Sequence, residues 1–157
     1  MTHRLALVLI AFLSATGVAA QATEAPTAPG AENTENAPQL VRSGLDAQLE
    51  DFRWVNRLIV VFADTERDPR FIQQMELINA RPEALLERDV IVFTDTDPAA
   101  KSPLRQKLRP RGFMMAFVGK DGIVYFRKPL PWSVREISAS IDKNPLRQQE
   151  IRDRRQP

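Results

Sequence analysis

The stretch RLIVVFADTERDPRF, residues 57–71, reads as a strand that passes through a short polar turn into a helix. Leu58 to Ala63 form a continuous apolar run rich in β-branched side chains, without alternation, which suits a strand covered on both faces. Asp68 followed by Pro69 supplies a helix N-cap and first turn, and Phe71, Ile72, Met75 and Ile78 recur behind them at helical intervals. In open α/β sheets the turn at the carboxyl end of a strand is where ligands and reactive groups sit. The chemistry available to this turn therefore decides what the molecule can do.

Working outward, Pro82 interrupts the helical pattern and a short helical piece runs to Glu87; then DVIVFT, Asp89 to Thr94, repeats the buried-strand character. Strand, helix and strand in that order form the right-handed parallel crossover unit. DTDPAAKSPLRQKLRPRG is polar, with one short helix expected at Pro103 to Leu108. Phe113 to Val118 reads as a third strand, Gly119 to Gly122 (GKDG) as a hairpin turn, and Ile123 to Arg127 as a fourth strand antiparallel to the third. Ser133 and Glu136 make a capping box for a last helix, with Trp132 before the cap placed to pack on Ile137, and Asn144-Pro145 ends it. Upstream, Leu45, Leu49 and Phe52 predict a short amphipathic helix leading into Trp54. Trp54, Trp132 and the run Phe113, Met114, Met115 and Phe117 are read as packing into the core. The fold class is α/β: a mixed four-stranded sheet with helices on both faces.

The ends read differently. Residues 1–20, MTHRLALVLIAFLSATGVAA, have a basic start, an apolar run from Leu5 to Leu13 and small residues up to Ala20, the pattern of a secretory signal peptide cut before Gln21. Residues 21–44 are rich in Ala, Pro, Thr, Glu and Asn and predict a flexible tether. Residues 45–146 are then a single small domain, and 147–157 a charged tail. The expected location is periplasmic or secreted, with no membrane span after cleavage. Without a cysteine at the cleavage point no lipid anchor of the bacterial lipoprotein kind is available.

Formal charge is +2, and loss of Arg4 with the signal leaves 21 basic against 20 acidic side chains. A balance that close to zero gives no electrostatic drive toward nucleic acid. The chain has no cysteine, and its one histidine is His3. A domain without thiol or imidazole cannot build the usual zinc sites, run Ser-His or Cys-His nucleophilic chemistry, or pass electrons through a disulfide.

The segments RWVNRLIVVFA, ERDVIVF, LRPRGFMMAFVGKDGIVYFRKPLPWSVREI and IDKNPLRQQEIR together resemble a bacterial family known as domain of unknown function 4174. That family is similar to the peroxiredoxin-related branch of the thioredoxin superfamily, and related domains occur in secreted vertebrate matrix proteins with sushi repeats. The resemblance spans residues 45 to 152, with Asn144 departing from the pattern where an apolar residue is expected. It implies a thioredoxin-like three-layer sandwich. In an ungapped comparison the Cys-Gly-Pro-Cys of thioredoxins lies over Arg67, Asp68, Pro69 and Arg70, so the proline is kept and both sulfurs are gone. Where thioredoxins carry a cis-proline before the third strand, this chain has Arg111-Gly112-Phe113, with Pro110 offset upstream.

Three sets of residues remain as candidate sites. Arg67, Asp68, Pro69 and Arg70 mark the vacated redox turn. Arg105, Lys107, Arg109 and Arg111 form a basic run suited to a phosphate, a carboxylate or an acidic partner, with Arg67 and Arg70 placed to join it. Asp64, Glu66, Asp95 and Asp97 follow the first two strands and would meet at one sheet edge, where such oxygens suit a hard cation, although Asp68 and Asp95 also read as cap and turn residues. A glycosidase-like carboxylate pair lacks an aromatic platform, and Ser102, Thr65 and Ser133 lack an activating base. No cofactor is expected. The function predicted is an exported, redox-inactive thioredoxin-like domain acting as a binding module toward a protein or anionic partner in the envelope. The alternatives are a degenerate peroxiredoxin-like oxidoreductase that borrows a partner's thiol, and a structural envelope protein.

Overall fold

The structure is a computed structural model that describes residues 39–156. The signal peptide expected at 1–20 and most of the tether expected at 21–44 lie outside the described residues. In chain order the elements are β1 (Val41–Ser43), a 3-10 turn at Leu49–Phe52, β2 (Arg57–Phe62), α1 (Pro69–Asn79), α2 (Pro82–Leu86) and β3 (Val90–Asp95). A 3-10 turn at Pro98–Ala100, α3 (Pro103–Leu108), β4 (Met114–Val118), β5 (Val124–Lys128), α4 (Val134–Asp142) and α5 (Pro145–Asp153) follow. The sheet runs β1-β3-β2-β4-β5, with β1, β3 and β2 parallel and β4 and β5 antiparallel to their neighbours. This is the thioredoxin-like α/β arrangement, with five strands where four were expected.

The central strands explain the layering. Side chains alternate across a strand, so Ile59, Val61, Val92, Met115 and Phe117 face one side and pack with Ile78, Leu85, Val134, Ile137 and Ile141 of α1, α2 and α4. Leu58, Val60, Phe62, Ile91, Phe93 and Ala116 face the other and pack with Leu49, Leu104 and Leu108. Burying each of these side chains stabilises the fold by roughly 1.5–3 kcal/mol, against about 1 kcal/mol or less for an exposed ion pair. The apolar strands therefore outweigh the surface charges. Val124 packs on one face and Phe126 on the other although they are two apart in sequence. A register irregularity opposite Phe117 and Val118 inserts the extra residue that reverses the alternation.

Local signals act as read. Asp68 caps α1, its carboxylate accepting from Arg70 N at 2.9 Å. Ser133 and Glu136 form the capping box of α4, and Gly122, at φ +80, closes the hairpin turn in a conformation side chains disfavour.

Several expectations need correction. The helix predicted from Leu45 is only the 3-10 turn at Leu49–Phe52. On α1 the inward face carries Gln74, fully buried, while Ile72 is exposed. Gln74 is accommodated because its amide donates to Trp132 O at 3.0 Å and accepts from Trp132 N at 2.8 Å, so both halves are satisfied. Trp54 is 63% exposed, at φ +66, with its N–H bonded to Lys120 O at 2.6 Å. The ordered unit also starts before Leu45: Leu40 is buried, Val92 N donates to Leu40 O at 2.7 Å, and β1 pairs with β3. The charged tail is not separate either, since α5 crosses residue 147 and buries Arg147. Asn144 serves as the N-cap of α5, accepting from Leu146 N at 2.9 Å, which accounts for a polar residue at a buried position.

What holds α5 is a charge cluster at the amino ends of β2 and β3. Arg57 is 1% exposed; it donates to Arg88 O at 3.0 Å and to Glu150 at 2.9 Å. Lys120 reaches Glu150 at 3.2 Å and Asp89 at 2.9 Å, and Arg147 reaches Glu150 at 3.1 Å. Burial alone would raise the Glu150 pKa, but the hydrogen bonds from Arg57 and Arg147 and the charge of Arg57 outweigh it and hold the group at about 2, against an ordinary 4.5. A lowered folded-state pKa stabilises fully above 4.5, and that stability is lost as pH falls through 2. Glu150→Gln should therefore cost about 3 kcal/mol at neutral pH, because it leaves the buried Arg57 charge with only the more distant Asp89 carboxylate, at 3.9 Å. The gap from the native chain should narrow as pH drops from 4.5 toward 2, measured by urea unfolding at a series of pH values.

Candidate functional site

The carboxyl ends of β2 and β3 and the lead-in to β4 form one edge, and the sequence candidates divide there into three environments. The first is interior. Asp95, the last residue of β3, is 1% exposed, and its Oδ1 accepts from Arg105 Nε at 2.8 Å and from Asp97 N at 3.1 Å. Its Oδ2 accepts from the Ser102 hydroxyl. The same Arg105 donates to Ala63 O and to Asp95 O, the latter at 3.0 Å, and its guanidinium lies over the Phe62 ring at 5.5 Å. One side chain thus ties together the ends of β2 and β3, and Ser102 carries the tie into α3 as that helix's N-cap.

Two expectations change as a result. Arg105 belongs to the interior and not to an exposed basic run. Asp95 has both oxygens engaged by protein donors and has none to offer a cation. Asp97 is occupied as well, capping the following 3-10 turn through Ala99 N at 2.9 Å, while Asp64 and Glu66 are exposed. Among the described residues no group of three or more carboxylate, imidazole or thiol side chains is gathered that could hold a metal ion.

The second environment is the turn between β2 and α1, which carries Arg67, Asp68, Pro69 and Arg70. Thr65 O accepts from Asp68 N at 3.2 Å, closing the turn so that Asp68 can cap α1. Arg70 doubles back onto the cap: its Nη2 lies 2.8 Å and its Nε 3.1 Å from the Asp68 oxygens. That paired donation holds the Asp68 carboxyl below its ordinary range and raises the Arg70 guanidinium. The guanidinium lies over the ring of Phe113 at 5.5 Å, a face that attracts a cation. Asp64 comes close to Gly112, where a Cβ would lie 3.8 Å from its Oδ2. Gly112 itself sits at φ +63, so the backbone just before β4 takes a path that a side chain would strain. Turn and β4 lead-in are brought together here, as the resemblance implies for a thioredoxin-like active site. The groups assembled are guanidinium, carboxylate and aromatic.

The third environment is the surface. Arg67, Arg109 and Arg111 are exposed and make no ion pair among the described residues. Lys107 stands apart, paired with Glu50 of the 3-10 turn at Leu49–Phe52. Of the basic run, then, only Arg109 and Arg111 remain available. The burial of Arg105 carried a weak sequence signal: Asp95, Ser102 and Arg105 make a buried acid, a cap and a base at short spacing.

Residues 48–150 match the model of the family described as Domain of unknown function (DUF4174). No curated protein matches the chain. Among solved structures the chain is similar to reduced Plasmodium vivax 2-Cys peroxiredoxin, with 14% identity over 66% of this chain and 85% of that one, at a TM-score of 0.53. It is also similar to Plasmodium yoelii Prx1a modified at the N-terminus, with 17% identity over 66% and 80% of the two chains, at 0.50. A further likeness is to the exposed lipoprotein thioredoxin of Streptococcus pneumoniae strain TIGR4, with 15% identity over 65% and 96%, at 0.49. The two peroxiredoxin likenesses show the fold.

The division between interior and surface arginines is measurable. Arg105→Met should cost about 3–5 kcal/mol, because it leaves the Asp95 carboxylate buried without its counter-charge. Arg109→Ala and Arg111→Ala should each stay within about 0.5 kcal/mol of the native chain in equilibrium urea denaturation.

Proposed function

We propose that this chain, which belongs to the DUF4174 family, is a redox-inactive, exported thioredoxin-like module that recognises an anionic or protein partner. The observation that carries the reading is the filling of the vacated turn. Where thiols would be exchanged stand Arg67 and an Arg70 locked between Asp68 and Phe113. Nothing in the chain beyond His3 offers an imidazole, and nothing offers a sulfur nucleophile. Thiol exchange and thiol peroxidase turnover both need a thiolate. Recognition needs only shape and charge, and the turn presents both.

The surface put forward is the edge around Arg67, Arg109 and Arg111. Their guanidiniums are free to meet a carboxylate or phosphate in the bidentate geometry that makes arginine the preferred group for such partners. The leader pattern in residues 1–20 supports a partner outside the cytoplasm.

Two measurements test this. Purified chain incubated with a dithiol or a hydroperoxide should consume neither faster than a protein-free control, and reproducible turnover would replace recognition by catalysis. In the native envelope, crosslinking and mass spectrometry should identify a partner whose yield falls at least about tenfold in Arg109→Glu/Arg111→Glu. An unchanged yield removes this surface from the reading.

A further inference from the structure

On the sheet face that carries α1, α2 and α4, helices α2 and α4 pack side by side and leave a groove on their outer surface. It consists of two adjoining hollows, of about 320 and 440 Å3, within the range of roughly 300–1,000 Å3 in which ligand sites fall. They share Arg81, Val134 and Arg135, so the two guanidiniums flank the junction. Ala84 and Ala139 line one side of it and Leu77 and Ala80 the other, so apolar floors run in both directions.

The charges are sorted. Asp142, at one end, is taken by Arg88 at 2.7 Å, and Glu136, at the other, by the backbone N–H of Ser133 at 2.9 Å. Arg81 and Arg135 make no ion pair among the described residues and are exposed. Ser138, which also lines the groove, is 8% exposed, and its hydroxyl has no hydrogen-bond partner. The groove is distinct from the vacated turn. Arg81 lies beyond the C-terminal end of α1 and the turn precedes its N-terminal end, and 11 residues of helix separate the two by about 16 Å.

We propose that this groove binds a short extended peptide that is acidic at its centre and apolar on either side. The central carboxylate sits between Arg81 and Arg135, and flanking apolar side chains cover the two alanine-lined floors. A carboxylate with a single tail fills only one of the two hollows, which is why a peptide fits better than a fatty acid.

The probe is acetyl-Ala-Leu-Glu-Leu-Ala-amide, titrated into the 15N-labelled full-length chain. Saturable amide shifts should appear at Arg81, Ala84, Val134, Arg135 and Ser138. Replacing the glutamate of the probe by glutamine, or using Arg81→Gln/Arg135→Gln, should weaken binding at least about tenfold, while the amide spectrum away from the groove keeps the folded pattern. Three outcomes overturn the proposal: no saturable shift at millimolar peptide, equal binding of the glutamine probe, or groove shifts with dodecanoate but none with the peptide. Shifts confined to the neighbourhood of Arg109 and Arg111 overturn it too, and point instead to the edge surface.

Discussion

A sheet whose central strands are covered on both faces has no side from which water can reach its backbone, so polar groups at the strand ends must find partners inside the protein. Two arginines meet that requirement here. At the amino ends, Arg57 spans from β2 to the carbonyl of Arg88 and to Glu150. At the carboxyl ends, Arg105 takes the carbonyls of Ala63 and Asp95 together with the Asp95 carboxylate. Each brings a counter-charge with it, and each counter-charge recruits a peripheral helix: α5 through Glu150, α3 through Ser102. The outer elements are placed by the need to satisfy the inner ones.

The same requirement separates what the sequence discloses from what it hides. β2 and β3 are readable because uninterrupted apolar runs, Leu58 to Ala63 and Val90 to Phe93, already specify burial on both faces, and the caps at Asp68 and Ser133 because capping is a matter of neighbours two or three residues apart. β1 is hidden because three residues, VRS, become a strand only by pairing with β3 fifty residues downstream. Gln74 is hidden because its partner, the backbone of Trp132, lies 58 residues away. The docking of the tail is hidden because Arg147 and Glu150 look solvent-bound until Arg57 is known to be buried beneath them. The four alternate basic positions of RQKLRPR split likewise among an interior tie, a surface pair and two free guanidiniums.

The turn between β2 and α1 has a geometric side. The Arg70 guanidinium is planar and large, and it is oriented by two bonds to Asp68 and by the Phe113 face while its outer side stays open to solvent. The scaffold keeps the junction of the first turn and the β4 lead-in, including the unusual backbone at Gly112, while changing the chemistry displayed there. Fold and chemistry are independent properties of this architecture.

The irregularity in β5 matters beyond the reversal of its side chains. β5 is the last strand of the sheet, and an open strand edge is a template on which a second molecule can grow the sheet outward, in the way that leads to fibres. Here the ladder is interrupted by the extra residue, the strand ends in Arg127 and Lys128, and Pro129 and Pro131 follow at once, where no amide hydrogen is available. At this margin, protection against uncontrolled polymerisation is built into the shape of the strand.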